Sequence, residues 1–111
     1  MQTIEYIDFQ KVDIRIGTII KANAFPKATK PAYQLWVDLG PLGIKKSSAQ
    51  ITDLYLCEEL IGRQVICICN LKPRQIANFI SEVLVTGFSN AEGHIILASV
   101  DRQVANGETL H

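Results

Sequence analysis

Short runs of alternating apolar and polar residues dominate the first half of the chain. Ile14, Ile16, Thr18, Ile20 and Ala22 alternate with Arg15, Gly17, Ile19 and Lys21, which is the two-residue period of a half-buried strand, with Gly17 placed to bulge or bend it. A loop bearing Pro and Lys follows from Ala24 to Pro31. Tyr33, Leu35, Val37 and Leu39 then alternate with Gln34, Trp36 and Asp38 as a second strand, and Gly40-Pro41-Leu42-Gly43 turns the chain back. The third stretch, Ile44 to Ile51, reads Ile-Lys-Lys-Ser-Ser-Ala-Gln-Ile and is polar on both faces, which is abnormal inside a sheet. Two explanations stand for it: a ligand-contacting strand, or an exposed edge whose lysines discourage edge-to-edge pairing.

In the second half, Thr52 caps a short helix with Asp53 in its first turn, Glu58 to Ile61 further along and Gly62 as its stop. Gln64 to Asn70 is a strand whose Val65-Ile66-Cys67-Ile68-Cys69 core is apolar throughout and so expected to be buried on both faces. Leu71 to Phe79 reads as a connecting loop, Ser81 to Gly87 as a strand, Ser89 to Gly93 as a hairpin turn and His94 to Ser99 as the returning strand. The tail from Asp101 to His111 carries an Asn106-Gly107 turn. At the other end, Asp8 is placed to cap one helical turn through Phe9, Gln10, Lys11 and Val12, and Ile4, Tyr6, Ile7 and Phe9 are too apolar for a free tail. Many short strands, short helices and no internal repeat predict a mostly β single domain over residues 1–111. The order of elements fits a five-stranded Greek-key oligonucleotide-binding (OB) barrel with N- and C-terminal extensions.

The 111 residues are 48% hydrophobic and hold 11 basic against 11 acidic side chains. An apolar surplus without net charge points either to a well-filled core or to a partner interface, and the N-terminal run Ile4, Tyr6, Ile7 and Phe9 is the natural place for a homodimer contact. Charge balance supplies no overall field to steer RNA inward, so any nucleic-acid binding must rest on a local patch. No apolar run is long enough to span a membrane, and Met1-Gln2-Thr3-Ile4-Glu5 lacks the pattern of a signal peptide, so a cytoplasmic protein is expected. The three cysteines fit a reducing compartment; Cys67 and Cys69, two apart on one strand, face the same side. His94 and His111 are the only imidazoles and lie far from them in sequence, so neither a metal nor a cofactor is expected. There is no glycine-rich phosphate loop, no nucleophile with a base and no evident carboxylate pair, which predicts a binding protein rather than an enzyme.

Asn70-Leu71-Lys72-Pro73-Arg74, then Ser81-Glu82-Val83-Leu84, set behind Asp13-Ile14-Arg15-Ile16-Gly17, form the most specific pattern in the chain. It resembles the tRNA-binding-domain family, whose members stand alone or are appended to some aminoacyl-tRNA synthetases, and over the full length it resembles the CsaA family of export chaperones built on that domain. The resemblance implies a homodimer that binds unfolded or presecretory polypeptides without nucleotide hydrolysis and engages the protein-export motor. The alternative it implies is a structure-selective tRNA binder. The tRNA contacts then fall on Lys45, Lys46, Ser47 and Ser48 of the polar strand, with Lys72, Arg74, Ser81 and Glu82. Pro73 stiffens the loop between Lys72 and Arg74, whereas Ser81 and Glu82 have a second reading as caps of backbone groups. The sequence has Val83 and Leu84 where the family pattern has glycine and methionine, which makes that surface more apolar. A peptide-binding patch is accordingly expected at Trp36, Phe79, Leu84 and Phe88, each of which has core packing as its alternative role.

Overall fold

In the computed structural model, which describes Met1 to His111, the long first strand β1 (Ile14–Ala24) organises everything else. It pairs antiparallel with β2 (Tyr33–Asp38) along one edge and with β4 (Gln64–Ile68) along the other. With β3 (Ile44–Ala49) and β7 (Leu84–Val85) these strands form a five-stranded sheet of order β3-β2-β1-β4-β7, curled into a nearly closed antiparallel OB-like barrel. Inside lie Ile19, Leu35, Val37, Leu39, Leu60, Val65 and Cys67, all fully buried.

The register of β1 shifts between Ile19 and Lys21. Before the shift Gly17 and Ile19 share the inward side; the inserted Ile20 stands 43% exposed and reverses the alternation beyond it, so that Lys21 faces outward and Ala22 packs on the core. The bulge therefore lies beyond Gly17, whose role is a different one. A Cβ at Gly17 would come within 2.6 Å of Val37 Cγ1 and 2.8 Å of Leu39 Cδ2, so glycine is what lets β1 and β2 close on each other.

Several local expectations shift. Asp8 lies within the helix α1 (Tyr6–Gln10), where its carboxylate accepts the Glu5 N–H at 3.1 Å, instead of preceding it. Thr52 starts no helix. The helical turn α2 (Cys57–Leu60) begins later, with the Leu56 N–H donating to Glu59 Oε1 at 2.8 Å, and it stops before Gly62 at φ +89°. β4 is not buried evenly on both sides: Val65 and Cys67 are buried, and Ile66 and Ile68 only in part. The expected loop from Leu71 to Phe79 contains a hairpin of β5 (Arg74–Ile76) and β6 (Phe79–Ser81), tightly turned with Ala77 at φ +52°. Beyond β7 the chain forms a second hairpin, β8 (Gly87–Ser89) with β9 (Ile95–Leu97), whose turn is held by Asn90 Oδ1 accepting the Glu92 and His94 N–H groups.

The C-terminal tail covers the outer half of β1. Ile16 donates to Glu108 O at 3.0 Å, and Gly107 and Leu110 donate to Ile16 and Ile14 carbonyls at 2.8 Å. That strapping explains how Ile16 is buried although it faces away from the barrel interior.

Candidate ligand-binding face

Adjacent residues of a strand point to opposite sides, and β3 shows what this does to a polar run. Lys46 is paired with Trp36, and Ser48 with Gln34, on the outer side. Lys45 shares its side with buried Val37, and Ser47 is paired with Leu35 in the core, fully buried and with its hydroxyl unpartnered. Ser47 is therefore a core residue and cannot contact a ligand, and Lys45 does not stand beside Lys46. Only alternate members of the run face outward.

Those outward residues continue across the sheet. Trp36 is flanked by Lys21 of β1 on one side and Lys46 of β3 on the other. The Lys21 ammonium lies 4.5 Å from the Trp36 ring centre, and Lys46 stands over Phe79 at 5.1 Å. Phe79 is not an exposed anchor but a buried plug, edge-on to Trp36 at 5.6 Å and to Phe25 at 5.5 Å. It holds the indole in place. The parallel row Asn23, Gln34 and Ser48 lies alongside. The result is a basic and aromatic face in which ammonium groups rest on fixed rings, the kind of surface on which bases stack and phosphates find cations. Lys21 and Asn23 were not anticipated from the sequence, because the bulge at Ile20 hides which residues of β1 face outward.

The free edge of β3 is closed by side chains as well as backbone. Glu82 Oε1 accepts the Lys46 N–H at 3.0 Å, Ser81 Oγ accepts the Ser48 N–H at 3.0 Å, and the Glu82 and Val83 N–H groups donate to Lys46 O. Ser81 and Glu82 thus act as ladder partners that β7 is too short to supply. Of the two roles open to them, the structure displays the backbone-capping one.

Beside this seam runs an open groove of ≈ 730 Å3 between β3, β5, β7 and the loop before β2. Leu84, Val85, Ile76, Ile51 and Ile95 supply apolar walls, and Arg74, Lys30, Ser48 and Thr29 supply polar ones. Leu84 is 45% exposed and open to a ligand. Phe88 is exposed too, but on the β8–β9 hairpin, opposite exposed Ile96. The expected patch of Trp36, Phe79, Leu84 and Phe88 accordingly divides: Trp36 with Phe79 on the sheet face, Leu84 in the groove, Phe88 on the hairpin. Lys72 is exposed at the approach to β5.

The thiols stand apart from both surfaces. Burial pushes the Cys67 pKa from 9.0 up to about 12, and burial, aided by Asp13, also raises that of Cys69. No group of three or more His, Cys, Asp or Glu side chains is arranged to hold a metal, and no helix is long and apolar enough to cross a membrane.

Residues 14–109 match the family described as "Putative tRNA binding domain". The methionine–tRNA ligase of Flavobacterium johnsoniae is 36% identical over 108 residues, 97% of this chain but 15% of the ligase, so the chain spans about a seventh of that curated relative's length. Among solved structures, the chaperone CsaA of Bacillus anthracis superposes with TM-score 0.93 at 40% identity, covering 99% of this chain and 100% of that one. The CsaA chaperone protein of Picrophilus torridus does so with TM-score 0.91 at 44% identity, covering 98% and 100%. Barrel, motif and full-length likeness agree: the chain belongs to the tRNA-binding-domain family and has CsaA chaperones among its full-length relatives.

Proposed function

We propose that the protein is a cytoplasmic, nucleotide-independent chaperone of the CsaA kind, which holds unfolded or presecretory polypeptides. The observation that carries this reading is the groove. It encloses ≈ 730 Å3, is apolar on its walls, and is furnished with Arg74 and Lys30, neither of which is ion-paired with a carboxylate. Such a lining binds side chains without demanding a sequence. Full-length likeness to two CsaA chaperones supports it.

A homodimer belongs to the same proposal. Helix α1 has five residues and none is buried; Ile4, Tyr6 and Ile7 are each more than 60% exposed, and Tyr6 packs on Phe9 at 5.8 Å. A single isolated helical turn is not stable in water without packing, and a twofold partner would cover it. Light scattering at micromolar concentration should return twice the chain mass; a clean monomer rejects the dimer.

The second reading, tRNA binding, is favoured by the row Lys21, Trp36 and Lys46 and by the family itself. Ser48 extends that surface toward the groove that Arg74 lines. The test of the primary reading is suppression of aggregation of a denatured protein at stoichiometric ratio without ATP. Suppression no better than that of an unrelated protein of equal size rejects it.

A further inference from the structure

We propose that the basic aromatic face and the groove form one composite site, so that each protomer holds either RNA or an extended polypeptide and never both. The inference rests on the two readings above and concerns how they are coupled. Ser48 belongs to both surfaces: it stands outward on β3, paired with Gln34 beside the Lys21, Trp36 and Lys46 row, and it lines the groove. Arg74 lines the groove and is the cross-strand partner of Ser81, whose Oγ accepts the Ser48 N–H at 3.0 Å. One hydrogen bond thus joins the face to the groove wall.

Scale and charge decide the consequence. Lys46 and Ser48 are two residues apart on one side of a strand, about 7 Å, a distance that a nucleotide chain seated on Lys46 covers within roughly one residue. Its next phosphate then arrives at Ser48 and Arg74. Lys21, Lys46 and Arg74 are ion-paired with no carboxylate, so an arriving phosphate meets cations with no prior partner. An acidic stretch of polypeptide in the groove seeks the same guanidinium. RNA therefore acts as a release factor for bound polypeptide, and polypeptide excludes RNA in turn, since exclusion between two ligands is reciprocal.

The experiment uses the full chain and a fluorescein-labelled, reduced and carboxymethylated α-lactalbumin, an unfolded acidic polypeptide that RNA does not attract. Unfractionated tRNA is titrated in at constant ionic strength while anisotropy is followed. At saturating tRNA the signal should fall to that of the free polypeptide, with a midpoint that rises as more unlabelled polypeptide is added. In Lys21→Ala, tRNA affinity and the displacing concentration should shift by the same factor. A ternary complex at saturating tRNA, or displacement unchanged in Lys21→Ala despite weakened RNA binding, overturns the inference while leaving both readings intact. Absence of polypeptide binding before any tRNA is added overturns the polypeptide reading instead, and the coupling with it. Absence of tRNA binding does the same for the RNA reading.

Discussion

The outer face of β1, β2 and β3 and the groove beside β7 draw on the same strand, β3, yet surround their cations with different material. On the face, Lys21 and Lys46 lie over Trp36 and Phe79; in the groove, Arg74 and Lys30 stand at the margins of aliphatic walls built by Leu84, Ile76 and Ile51. The first arrangement suits phosphates and stacked bases, and binding of that kind weakens steeply as salt rises. The second suits apolar side chains, whose burial depends on salt far less than phosphate contacts do. One small barrel without net charge thus presents two surfaces of different chemistry.

The largest expected effect separates these two regions. Lys21→Ala combined with Lys46→Ala removes two charge-assisted contacts of ~1.5 kcal/mol each, so tRNA affinity should fall by more than about a hundredfold. The log-log salt slope should become shallower by about 1.5. Polypeptide binding, measured in parallel by anisotropy, should change little. Equal losses for both ligands would erase the distinction.

Next comes the seam the two regions share. Glu82→Ala leaves the Lys46 N–H without its acceptor and should lower stability by about 2 kcal/mol in urea unfolding. Glu82→Gln keeps an acceptor oxygen and should cost less than half of that. If the two variants are equally destabilised, charge rather than the hydrogen bond holds the seam.

A third prediction concerns the barrel beneath both surfaces. Because the Cys67 pKa is raised in the folded state to about 12 from 9.0, the contribution of its neutral thiol is fully present below pH 9. It is lost as pH rises from there toward 12, since the unfolded chain ionises first. Stability should fall there by at most ~1.4 kcal/mol per pH unit from this group, and Cys69, raised in the same direction, adds to it. Cys67→Ala should flatten the decline, as read from denaturation midpoints across that range.

The smallest effect tests the division of β3 itself. Ser47 buries an unpartnered hydroxyl, so Ser47→Ala should raise stability by about 1 kcal/mol and leave tRNA affinity unchanged. Weakened RNA binding in that variant would return Ser47 to the surface.

The barrel was legible in the chain because its signals are local. The alternation of Tyr33, Leu35 and Val37 and the Ser89–Gly93 turn each need only neighbours to be read, and both appear in place. What depended on tertiary partners was not legible. The bulge after Ile19 is set by pairing with β2 and moved Lys21 onto the face unseen. The β5–β6 hairpin turns through Ala77 and Asn78, which carry no glycine signal for a turn. The polar run of β3 looked like one surface and is two, since Lys46 and Ser48 face outward while Ser47 lies among the core side chains. Phe79 and Leu84 have similar hydrophobicity and opposite exposure, and Trp36, Phe25 and Lys46 all pack against the former.

Placement of the polypeptide in the groove is the central claim, and Leu84→Asp addresses it most directly. Leu84 is exposed enough to accept a carboxylate without loss of the fold, which circular dichroism and the thermal midpoint will register. The account predicts a folded variant that no longer suppresses aggregation of a denatured protein. A folded Leu84→Asp protein that suppresses aggregation as well as the parent does would contradict it.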